Sequence, residues 1–203
     1  MSDQIISYPT IDSPTRFTQA ELDWEPWIEP LEVEEFTDRH WAGLVERGRA
    51  GSAYFRLLDR DPDILGARTR TDNDIFRNRD GGLERALREF AAAATSRTNG
   101  CIYCASVHAR LTSHFSHRED DVQRLLDEGT SAPQQDPRWR AVIDASVALT
   151  RTPVDVDEET IDELRAAGLD DLAIADVINA SAFFNWANRL MLSLGEPSVP
   201  EEE

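Results

Sequence analysis

The chain of 203 residues contains no lysine, and all 21 of its basic residues are arginine. A lysine nucleophile or a lysine Schiff base is therefore excluded. Cysteine is almost as scarce, with two residues, so a disulfide-rich scaffold is excluded as well. No apolar run approaches the roughly 18 residues that a spanning helix needs. The opening MSDQIISYPTIDSPTRF lacks a basic segment followed by an apolar one and does not read as a secretory signal. Positive charge is outnumbered, with 39 acidic side chains and a net charge of −18. A surface of that sign repels phosphate backbones and anionic lipid, so neither nucleic acid nor a membrane is an expected partner. What remains is 40% apolar and 30% charged, enough to bury one domain's core. A soluble, cytoplasmic protein is the expectation.

The pattern is helical almost throughout. Residues 1–34 are the exception, because Pro9, Pro14, Pro26 and Pro30 forbid a helix. They read as an extended arm, with Trp24, Trp27, Ile28 and Leu31 as its packing residues. Residues 196–203 read as a frayed acidic tail. Between them, residues 35–195 form an all-α domain. Thr37-Asp38 caps a first helix, and residues 51–59 and 62–77 supply two more. Leu83, Leu87, Phe90 and Ala94 fall on one face of another helix, which stops at Asn99-Gly100. A helix from Cys101 follows, then a short one over residues 120–126 and a loop over 131–137. Ala141, Val142, Ala145, Ala148 and Leu149 mark the next. Asp157 to Ala167 precedes Gly168, and Leu172 to Leu194 ends the series.

The two cysteines, Cys101 and Cys104, lie in NGCIYCASVHARL. In a reducing compartment a lone C-x-x-C is more often redox-active or metal-binding than a staple, since its loop is too short to stabilise much. With Cys101 in the first turn of a helix, Cys104 and His108 fall within about 60° of it on the same face. An imidazole one turn after a thiol can take its proton, and the helix N-terminus favours both thiolates. Two thiols at this spacing can close a disulfide once one is oxidised. Those are the parts of a dithiol peroxidase: one thiolate opens an O–O bond and the other resolves the sulfenic acid. If the chain turns at Asn99-Gly100, Glu89 comes back alongside His108 and forms a proton relay with it. Tyr103 is placed as a hydroxyl donor near the thiols. Position alone favours Cys101, nearer the helix terminus, as the more acidic thiol.

Plainer readings stand beside these. The cysteines could be two inert buried thiols, and His108 a satisfied core histidine. Glu89 could be a surface residue, or an ion-pair partner of Arg88 or Arg97. Cys101, Cys104 and His108 also offer three metal ligands, with His114, His117 or Glu89 as a fourth, although closed sites usually draw ligands from separate loops. His114 and His117 read as solvated or capping residues, and His40 carries no functional signal. Asn185 and Trp186 read as packing or subunit contacts, and DVDEET (155–160) as a helix start. Arg68 and Arg70 could guide an anionic substrate, but 21 arginines single out neither.

The pattern Glu89-x(11)-Cys101-x-x-Cys104-x-x-x-His108 resembles the alkylhydroperoxidase D / carboxymuconolactone decarboxylase family, and in particular its peroxidase-related members. AYFRLLDRDPDILGARTRTDNDIF (53–76), SRTNGCIYCASVHAR (96–110) and AFFNWANRLMLSLG (182–195) carry the likeness over most of residues 35–195. The resemblance implies an all-helical fold, a homo-oligomer and thiol-dependent reduction of hydroperoxides by an external dithiol. It implies Cys104 as the peroxidatic thiol, Cys101 as the resolving one, and Glu89 with His108 as the relay. No cofactor and no metal is implied. Alkylhydroperoxidase D proper has a histidine directly before the second cysteine, where this chain has Tyr103. The family's decarboxylases generally lack the C-x-x-C pair, so its presence argues against lactone decarboxylation. A redox sensor or disulfide oxidoreductase built on the same thiols is the alternative.

Overall fold

The computed structural model of the chain describes residues 11–134 and 136–200. Residues 1–10 of the expected arm, residue 135 of the expected loop and the last three residues of the expected tail lie outside these. In chain order come strand β1 (Asp23–Pro26), a 3-10 turn (Val33–Glu35), α1 (Asp38–Leu44), a second 3-10 turn (Arg47–Gly51), α2 (Ala53–Leu58) and α3 (Pro62–Arg77). Then follow α4 (Arg85–Asn99), α5 (Ile102–Ser116), α6 (Glu119–Glu128), α7 (Pro137–Thr150), α8 (Glu158–Ala166), α9 (Asp171–Leu192) and strand β2 (Gly195–Ser198). The fold is all-α, with one small sheet.

Local chemistry sets most of these boundaries. Asp61, Asp136, Asp157 and Asp170 each accept a backbone N–H as N-cap of α3, α7, α8 and α9. Each such cap is worth about 1 kcal/mol. Pro62 and Pro137 occupy the first helical turn, where a missing N–H costs nothing. Gly100 ends α4 in the left-handed region (φ 80°) and lets α5 fold back along it.

Helix α4 is the axis of the domain. Its residues from Ala86 to Ser96 are all buried, and it packs against α5, α7 and α9. The run Ala91–Ala94 makes this possible, because small side chains let three helices approach one backbone. Polar rungs cross the same interfaces: Asn188 Nδ2 donates to Ser96 Oγ at 3.0 Å, and Ser146 and Ser181 share a bond of 2.9 Å.

Two expectations change. Leu83 precedes α4 instead of belonging to it, although it is buried in the same core. The acidic tail is not frayed through Ser198: β2 pairs antiparallel with β1, with Trp24 opposite Pro197 and Glu25 opposite Glu196. Burial drives this pairing. Trp24 sits against Tyr54 of α2 with centroids 5.3 Å apart, and Gly195 lies so close to it that a Cβ would stand 2.3 Å from Glu25 O. The prolines are tolerated because a two-stranded ribbon consists only of edges.

Candidate active site

Cys101 is the N-cap of α5 and not a residue of its first turn; Cys104 is the third helical residue. Both sulfurs are free thiols, and Cys101 Sγ donates to Cys104 Sγ at 2.7 Å. Cys104 Sγ also lies 3.4 Å from Met191 Sδ on α9. Cys101 is 1% exposed and Cys104 6%.

One turn further along α5, about 5–6 Å between Cβ atoms, stands His108. Its Nδ1 is 2.7 Å from Glu89 Oε2, across the α4–α5 interface. Glu89 is 1% exposed, and its second oxygen accepts from Arg85 Nε at 3.1 Å. A carboxylate only accepts, so Nδ1 carries the proton, and the imidazole's Nε2 keeps a lone pair. Phe184 and Phe76 hold the ring in place, with centroids 4.0 and 5.3 Å away. The turn at Gly100 thus brings Glu89, Cys101, Cys104 and His108 together. The ion-pair partner of Glu89 is Arg85, not Arg88 or Arg97. Arg88 instead bonds the carbonyls of Ile75 and Asn78 at the end of α3, and Arg97 bonds Leu126 O.

Burial reverses one expectation. The helix terminus favours thiolates, yet the Cys104 thiol is pushed well above its ordinary pKa. Desolvation is the largest cause, followed by the bond from Cys101 and the nearness of that second sulfur. Asn188 and the charge of Arg68 pull the other way. A half-charge at a helix end is worth at most about 2 kcal/mol, which full desolvation exceeds. At rest Cys104 is a protonated thiol. Burial also raises Tyr103, so its hydroxyl keeps its proton and can donate.

Cys104, His108, Glu89 and Tyr103 open onto one cavity of ≈ 220 Å³. Its other walls include Phe76, Phe184 and Leu111, together with Arg68 and Arg85. Of the two arginines singled out in the sequence, Arg68 lines the cavity and Arg70 is exposed. Asn188, Met191 and Phe184 were not among the expected site residues. Their spacing along α9, with Phe184, Asn188 and Met191 at i, i+4 and i+7, is the signal that marks one helix face. Asn185 packs as expected, donating to Thr150 Oγ1 and accepting from Asn99 Nδ2. His114 and His117 are exposed at the far end of α5. Among the described residues, no group of three or more His, Cys, Asp or Glu is placed to hold a metal ion, and no helix is long and apolar enough to cross a membrane.

Comparison with known proteins gives the following. The model of the Carboxymuconolactone decarboxylase family matches residues 62–148. No curated protein matches the chain. Among solved structures, it is similar to the alkylhydroperoxidase AhpD core of an uncharacterized peroxidase-related protein from Ralstonia eutropha JMP134. That likeness has a TM-score of 0.71 at 24% identity, over 83% of this chain and 90% of that one. An uncharacterized peroxidase-related protein from Silicibacter sp. TM1040 aligns with a TM-score of 0.68 at 23% identity, over 87% of this chain and 94% of that one. The debrominase Bmp8 aligns with a TM-score of 0.65 at 18% identity, over 81% of this chain and 88% of that one. A cysteine-to-alanine form of that debrominase is known in complex with 2,3,4-tribromopyrrole.

Proposed function

We propose that the chain reduces hydroperoxides with the Cys101–Cys104 dithiol, a reading supported by the match of residues 62–148 to the Carboxymuconolactone decarboxylase family model and by the likeness of its helical fold to an alkylhydroperoxidase AhpD core. The observation that carries this reading is the convergence of Cys104, His108 and Glu89 on one cavity, with the second thiol 2.7 Å from the first.

The reaction runs in two steps. His108 Nε2, oriented by Glu89, takes the Cys104 proton directly or through one water. The thiolate attacks the terminal peroxide oxygen. The O–O bond breaks, the alkoxide leaves and receives the proton from His108 as an alcohol, and Cys104 becomes a sulfenic acid. Cys101 then attacks Cys104 Sγ. The S–O bond breaks, hydroxide leaves with the Cys101 proton as water, and a disulfide forms. The dithiol has given two electrons to the peroxide, and an external dithiol restores it. The sulfurs need to close by less than 1 Å to reach the bonded distance of about 2.05 Å.

Intact mass with thiol alkylation, before and after one equivalent of cumene hydroperoxide, tests this. Two alkylatable thiols are expected to disappear together within seconds, with no crosslinked dimer. Persistence of both overturns the reading. A second reading, reductive removal of halogen from a compact aromatic ring, is favoured by the Phe76 and Phe184 walls, which stand edge to face at 5.5 Å. It draws on the fold likeness to the debrominase. Here the dithiol replaces carbon–halogen by carbon–hydrogen and releases halide with the disulfide. Bromide release from 2,3,4-tribromopyrrole, with cumene hydroperoxide inert, identifies it.

A further inference from the structure

The α3 wall of the cavity holds a cation that neither step above uses. The Arg68 side chain is 8% exposed. Its one hydrogen bond among the described residues runs from Nη1 to Asp72 Oδ2, at a long 3.3 Å. Its Nε is buried without a partner. The rings of Phe55 and Phe183 stand 5.6 and 5.4 Å from its central carbon, near the outer limit of cation–π attraction. Nor is the charge matched locally. Asp72 is shared with Arg49 at 3.9 Å, while Arg49 and Arg77 share Glu46. Three arginines thus meet two carboxylates, leaving one positive charge in excess beside a buried thiol, in a chain of net charge −18. Keeping a guanidinium buried with an unmet donor is costly. A ligand anion in the cavity that Arg68 lines would offset that charge.

Size narrows the ligand. A cavity of about 150 Å³ holds a benzene molecule, so ≈ 220 Å³ accommodates a single ring with short substituents. Resting on the dithiol peroxidase reading, we propose that the substrate is a compact anionic organic hydroperoxide. Its carboxylate is held by Arg68, its apolar body lies against Phe76 and Phe184, and its peroxide group meets Cys104.

The test compares matched pairs on the full-length reduced protein. Cumene hydroperoxide and its para-carboxylate are compared by rate of thiol loss, and 4-isopropylbenzoate and 4-isopropylbenzyl alcohol by calorimetric binding. The acid is expected to win each comparison by about tenfold or more, and both ratios are expected to fall to near one in Arg68→Gln. Equal rates and equal binding in the unmodified protein overturn the proposal without any variant. So does an Arg68→Gln that slows both peroxides alike, because Arg68 then serves only the Cys104 thiolate. If 4-isopropylbenzoate binds through Arg68 but neither peroxide oxidises the thiols, the anion site stands, while the peroxidase reading and this substrate class fall. Circular dichroism of Arg68→Gln shows that the variant is folded when its ratios are read.

Discussion

Replacing Glu89 by Gln separates the relay from the packing. The side chain keeps its size, but the amide can donate to His108 Nδ1, where the carboxylate only accepts. The imidazole proton then moves to Nε2, and the lone pair that would take the Cys104 proton is gone. Because burial holds the Cys104 thiol well above its ordinary pKa, little thiolate forms at neutral pH without that base. Loss of general-base assistance costs about 10²–10⁴ in rate. The deficit is not constant. Without the base, the rate follows the thiolate population and climbs about tenfold for each pH unit below the Cys104 pKa. The unmodified protein depends less steeply on pH, because His108 takes the Cys104 proton. Stopped-flow loss of thiols with cumene hydroperoxide, measured from pH 6 to 10, should therefore show a gap that is widest near pH 7 and narrows as the solution becomes alkaline. Arg85 and His108 also lose a charged acceptor, worth about 2 kcal/mol, or a melting temperature about 4–8 °C lower. A rate deficit of the same size at every pH would refute the relay and leave Glu89 as a structural residue.

Three further outcomes are expected. Cys101→Ser should accumulate a sulfenic acid on Cys104 that dimedone traps after one equivalent of peroxide, and Cys104→Ser should give none; trapping at Cys101 would reverse the assignment. Asp59 is fully buried with neither oxygen bonded, and burial raises its pKa above 3.8. Its proton is therefore held more tightly in the folded state, and stability is lost as pH rises from the unfolded value through the folded one. Asp59→Asn should be more stable than the parent at pH 7 by about 1 kcal/mol, with the difference gone below pH 4; urea melts at both pH values decide it. Gly195→Ala would drive a Cβ to within 2.3 Å of Glu25 O and the Trp24 ring. It should cost about 1–3 kcal/mol and shift tryptophan fluorescence, and an unchanged melt would show that β1 and β2 contribute no packing.

The site was legible to the extent that one hairpin builds it. Cys101, Cys104 and His108 are spaced for one helix face, and a single turn at Gly100 returns the chain so that Glu89, nineteen residues earlier, meets the imidazole. The helix ends were legible for a similar reason, since Asp caps and N-terminal prolines act within four residues. What escaped depends on distant partners. Arg68 lines the cavity from α3 and Asn188 stands near Cys104 on α9; spacing marks a face of each helix, but not that this face will meet the thiols. The same holds for GEPS, which has no alternation of its own and becomes a strand only because Trp24 needs a cover.

The acidity of Cys104 is the instructive case, because the local argument was sound and still lost. A helix N-terminus does stabilise a thiolate, but the helix delivers this thiol into a wall of Phe184, Met191 and the neighbouring sulfur, where desolvation is the larger energy. A resting thiol of that kind is protected from adventitious oxidation, because the nucleophile is the thiolate. It is released only when a base stands one turn away and an oxidant fills the cavity. On this account Glu89 and His108 share a single task, which is to offset a penalty that the fold itself imposes. Weakening either should slow oxidation most near neutral pH, where the penalty is felt, and least at high pH, where solvent hydroxide can do the same work.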